Sequence, residues 1–92
     1  MHLIEDCRQR AEDAGSIAKG AHDLNIAHIL HDIAKAWVRL AEMIEQNGLD
    51  EVDVSEIRSH IERAEDRVLG SRLAIAEAKE LIANAGKLLS RR

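Results

Sequence analysis

At 92 residues, with Pro 0, Phe 0 and Tyr 0, the chain has the length of one domain and few of the residues that favour strands or punctuate sheets. Its 13 basic and 17 acidic residues give a net charge of −4, which argues against a general affinity for nucleic acid or an anionic membrane. The single cysteine, Cys7, excludes an internal disulfide and a four-cysteine zinc site. The opening Met1-His2-Leu3-Ile4-Glu5-Asp6 becomes charged before a signal-peptide apolar stretch could form. No apolar run approaches the ~20 residues of a membrane span, so a cytoplasmic protein is expected.

From the start, apolar or small residues recur at Ile4, Cys7, Ala11, Ala14, Ala18 and Ala21, in steps of three and four that hold them on one helix face. Gly20 is a natural stop, so the first helix is expected over about 3–20. Asp23 or Asn25 can cap the next segment, in which Ile26, Leu30, Ile33, Trp37, Leu40 and Ile44 keep the same spacing up to Asn47-Gly48. A second helix over about 24–47 follows.

In the third segment Asp53 can act as a cap, with Glu56 reaching back to it in a capping box. Val54, Ile57, Ile61, Ala64, Val68, Ser71, Ile75, Ala78, Ile82, Ala85 and Leu89 then hold the rhythm without a slip. Asp50, Glu51, Asp53 and Glu56 cluster at one end and Lys87, Arg91 and Arg92 at the other, as the dipole of one long helix prefers. One continuous helix over about 54–90 is therefore expected, roughly 54 Å long. The alternative is a break near Gly70 and a four-helix bundle.

The expected architecture is all-α: a single domain over 1–92, a bundle of three helices with a long C-terminal helix, completed by homo-oligomerisation. Beyond Leu69 the apolar face widens through Ala74, Leu81 and Leu88, so more than one neighbouring helix is needed, and a second copy is the simplest source. Trp37, Ile61, Val68, Ile75, Ile82 and Leu89 are the candidate interface of a coiled-coil-like homodimer or of a complex with a partner helix. Alanine-rich seams imply close helix approach and a core without a roomy ligand pocket. A non-enzymatic protein-interaction or self-association module is the functional expectation.

Two histidine features offer chemistry instead. His28 and His31 share a helix face at i and i+3, with Asp32 one turn from His28, a set that could grip a divalent transition metal. No cofactor is otherwise expected. Leu30-His31-Asp32-Ile33-Ala34-Lys35 resembles the LHDIGK-type signature of HD-domain metal phosphohydrolases. That resemblance implies metal ligation by His31 and Asp32 and water activated against a phosphate ester. Ala34 replaces the usual glycine, His2 stands roughly where an earlier ligand falls, and only Asp53 or Asp66 is available as the late aspartate. The helix seam also turns His31 away from Ile33, Trp37 and Leu40, whereas a buried metal needs ligands pointing inward.

Ala21-His22-Asp23-Leu24-Asn25 resembles the AHDLNN form of the phosphoacceptor box of sensor histidine kinases, which implies His22 as phosphoacceptor beside Asp23; Ile26 replaces the second asparagine. Cys7 reads as a small buried hydrophobe, and His60 as a structural or solvated histidine. Finally, Cys7-Arg8, Ala11-Glu12, Ile17-Ala18, Asp23, Leu30, Ala34, Trp37 and Leu40-Ala41-Glu42 together resemble a set of short uncharacterised bacterial helical proteins. The likeness covers the chain to about Asn47, lacks the proline that often follows the aspartate, and implies a helical hairpin without assigned chemistry.

Overall fold

The computed structural model describes residues 3–47, 51–70 and 75–90, and every element among them is a helix: α1 (Leu3–Gly20), α2 (Leu24–Asn47), α3 (Glu51–Gly70) and α4 (Ile75–Ser90). Of the two candidate caps, Asp23 starts α2. Its carboxylate accepts from the backbone N–H of Asn25 (2.8 Å) and of Ile26 (3.4 Å), while its carbonyl accepts from Ala27 N–H (3.0 Å). Helix α3 begins earlier than its spacing suggests, at Glu51, so Asp53 lies in its first turn.

The long C-terminal helix is corrected to two. A continuous helix of roughly 54 Å would overrun the 37 Å longest dimension of the molecule. Instead α4 turns back and packs on both α3 and α2. Folding back encloses Ala78, Ala85 and Leu89, which an extended helix would have left without cover. The charge pattern fits this arrangement as well: Arg67 lies in the last turn of α3, Glu77 in the first turn of α4 and Lys87 in its last. Arg67 and Glu77 pair across the break at 3.3 Å. The seam position Ser71 and its flanking Ala74, like Gly48, Asp50, Arg91 and Arg92, lie outside the described residues.

Helix α2 is central because its apolar arc is wide. Besides Leu30, Ile33, Trp37 and Leu40 it buries Ile29, Ala36 and Ala41, and Met43 packs against the same core. At 100° per residue those positions cover about 160° of its circumference, enough to face neighbours on two sides. One side takes α1, which contributes Cys7, Ala11, Ala14 and Ala18; the other takes α3 and α4. Small residues on α1 and α4 let these backbones approach closely.

Among the described residues, helix α1 has α2 as its one main backbone neighbour and reaches α3 through side chains. Asp6 and Arg10 of α1 and Arg58 and Glu62 of α3 form a closed ring of alternating charge. Its links are Arg10–Asp6 at 3.2 Å, Asp6–Arg58 at 3.0 Å, Arg58–Glu62 at 2.9 Å and Glu62–Arg10 at 4.0 Å. Inside this ring, Trp37 donates its Nε1–H to Glu65, and the Arg10 guanidinium stacks over the indole, 5.1 Å from its centroid.

Candidate functional site: a groove between α1 and α2

The antiparallel run of α1 against α2, closed at one end by the Arg8–Glu45 ion pair, leaves an open groove of about 720 Å³ on the surface. Its floor is apolar: Ala11 from α1, and Ala34 and Val38 from α2, with Val38 still 41% exposed. One wall is Arg8 and Glu12, four residues apart on α1. The other is His31, Lys35 and Arg39 on α2, at i, i+4 and i+8, a single row along one side of the helix. That row is about 12 Å long, a little over two helical turns.

The walls carry three permanent cations against one carboxylate, Glu12, in a chain whose net charge is −4. Arg8 is engaged by Glu45, whereas Lys35 and Arg39 have no ion-pair partner among the described residues. The groove thus offers exposed apolar surface bordered by unneutralised positive charge.

His31 lies on the groove wall, exposed, and its candidate co-ligands His28 and Asp32 are exposed on the same helix. Among the described residues no three His, Cys, Asp or Glu side chains come together so as to hold a metal ion. Of the other residues an HD-type site would need, Asp53 and Asp66 lie on α3 and His2 is outside the described residues. His22 is exposed in the α1–α2 link, beside the capping Asp23.

The candidate interface residues sit mainly inside the chain. Trp37, Ile61, Val68 and Leu89 are buried among its own helices, while Ile82 is half-buried against the core and Ile75 half-buried at the start of α4. Cys7 is fully enclosed and its thiol is pushed up, first by burial and then by the neighbouring Asp6 carboxylate, with Arg58 and Arg10 opposing. A thiol so placed is a poor nucleophile. His60 is half-buried, and its Nδ1 is enclosed with no hydrogen-bond partner among the described residues.

The groove escaped the sequence reading because it lies off the seam. Its signal was present all the same: Ala34 and Val38 at i, i+4 beside Lys35 and Arg39 at i, i+4 mark a second, weakly apolar strip with a basic border. Among the described residues, no helix is long and apolar enough to cross a membrane. No protein-family model, curated protein or solved structure matches the chain.

Proposed function

We propose that the chain is a non-catalytic helical interaction module that receives an amphipathic helix of a partner protein in the α1–α2 groove. One observation carries this reading: exposed Val38 and half-buried Ala34 form apolar surface between two helical walls, while most of the seam that suggested self-association is packed within the chain. A slot between parallel ridges, about two turns long, has the shape in which a third helix seats its i, i+4 side chains.

A partner chain fits better than a second copy. In a two-fold dimer the α2 wall meets either its own copy, setting Lys35 and Arg39 against Lys35 and Arg39, or the α1 wall of the second copy, where a single carboxylate, Glu12, stands beside Arg8. In the first arrangement like charges repel. The floor is small, so its burial alone supports only weak binding.

The test uses a labelled peptide helix with leucines at i, i+4 and i+7 and glutamine flanks. On titration, the backbone amide resonances of Ala11, Ala34 and Val38 should shift while that of Val52, exposed on α3, stays in place. Val38→Asp, at a position open to solvent, should abolish the shifts and leave the helical circular dichroism unchanged. Shifts confined to other helices, or none, would remove this reading.

A further inference from the structure

Resting on that reading of the groove, we infer that its partner is an acidic amphipathic helix, one carrying Glu or Asp at i, i+4 beside its apolar stripe. The wall formed by His31, Lys35 and Arg39 repeats every four residues along α2. A helix lying alongside presents its own i, i+4 side chains at the same pitch, so carboxylates in that row would meet Lys35 and Arg39 in register. Both cations lack an ion-pair partner among the described residues, so no existing pair has to be broken first.

Glu12 on the opposite wall adds selectivity. A partner with acidic residues on both flanks would be repelled there, whereas one with acids on the α2 side and a neutral or basic residue towards Glu12 would satisfy both walls. The partner helix is therefore asymmetric in charge.

Phosphate-rich partners fit the site less well. The floor between the walls is apolar, and the one Trp, Tyr or Phe in the chain, Trp37, is buried under the α1–α3 ring, so at the groove only His31 and Arg39 offer a base a face to stack on. A protein helix uses both the apolar floor and the cationic wall.

The experiment compares three labelled peptides on the intact chain by fluorescence anisotropy. All carry the same leucine stripe and differ in having Glu, Gln or Lys on the flank facing α2. The Glu peptide should bind roughly tenfold more tightly than the Lys peptide at low salt, the sum of a few exposed charge pairs. That gap should shrink at 0.5 M salt. In Lys35→Glu/Arg39→Glu, whose sites are both exposed, the order of the peptides should invert while circular dichroism stays unchanged.

Equal binding of the Glu and Lys peptides, with the Gln peptide also bound, would overturn the acidic partner and leave the groove reading intact. Absence of binding by all three would overturn both. A single-stranded oligonucleotide bound as tightly as the Glu peptide, and released in the double variant, would replace the inference with a nucleic-acid partner. Sedimentation showing a dimer that Val38→Asp dissociates would replace it with a second copy.

Discussion

Trp37 occupies the point where three helices meet, and its indole does two things. Its rings fill the core, and its Nε1–H satisfies Glu65, a carboxylate half-enclosed by α3 and the α1–α3 ring. Trp37→Phe keeps most of the volume and deletes the donor, leaving Glu65 without that hydrogen bond; we expect a loss of about 1–3 kcal/mol in urea unfolding. Trp37→Ala, which also opens a cavity, should cost about 3–5 kcal/mol. Equal effects of the two substitutions would mean that packing contributes little at this position.

Glu65 also links stability to pH. Burial pushes its carboxyl above the ordinary glutamate value, opposed by the Trp37 hydrogen bond and Arg10 and reinforced by Glu62 and Asp66. A group raised on folding stabilises fully below its unfolded pKa, near 4.3, and that contribution disappears as pH rises through the folded value. Glu65→Gln removes the ionisation but keeps an acceptor for the indole. Its stability relative to the parent should therefore increase between pH 4 and 7, as read from urea midpoints. A difference independent of pH would show that Glu65 ionises as freely in the folded chain as in the unfolded one.

At the scale of the helices, the row formed by Cys7, Ala11, Ala14 and Ala18 was legible as a buried face because α1 meets one main neighbour, and one neighbour writes one stripe. Helix α2 was only half legible. Its main stripe hid the second row of Ile29 and Ala36, since a helix serving neighbours on two sides spreads its apolar residues beyond the three-four rhythm. The break after Gly70 was obscured for a related reason: α3 and α4 both face one core, and by chance of phase their stripes join into an unbroken register. The charges Arg67 and Glu77 carried the better signal, one closing a helix and the other opening the next.

Gly70 does not adopt a left-handed conformation, so it marks the break through weak helix propensity and not through a turn that only glycine can make. Gly15, in the middle of α1, and Gly86, in α4, have open space where a Cβ would stand. Gly15→Ala and Gly86→Ala should each stabilise by about 0.5–1 kcal/mol. The sites lie on separate helices, so the double variant should show the sum. A rise of several degrees in Tm is the expected reading for a domain of this size. Destabilisation by either change would place an unseen contact at that site.

At the scale of the molecule, the sequence suggested an oligomer because a long third helix would outrun its cover; with α4 folded back on α2 and α3 most of that surplus is covered within the chain, and Ile75 and Ile82 stay half-buried. Within the chain, support is unequally divided. Helices α3 and α4 share the core with α2, whereas α1 leans on α2 and is tied to α3 by the ring of Asp6, Arg10, Arg58 and Glu62. Those side chains are about a third to two fifths exposed, so each link is worth no more than about 0–1 kcal/mol. Their effect is therefore local. Asp6→Asn and Arg58→Gln should each weaken protection of α1 amides in hydrogen exchange while leaving α3 and α4 nearly unchanged. Combined, they should cost less than the sum of the two, because they break the same link. Salt at 1 M, with a screening length near 3 Å, should reproduce part of the effect in the parent chain. Uniform loss of protection across all four helices would mean that α1 folds as one cooperative unit with the rest, and the α1 wall of the groove would then be as rigid as its α2 wall.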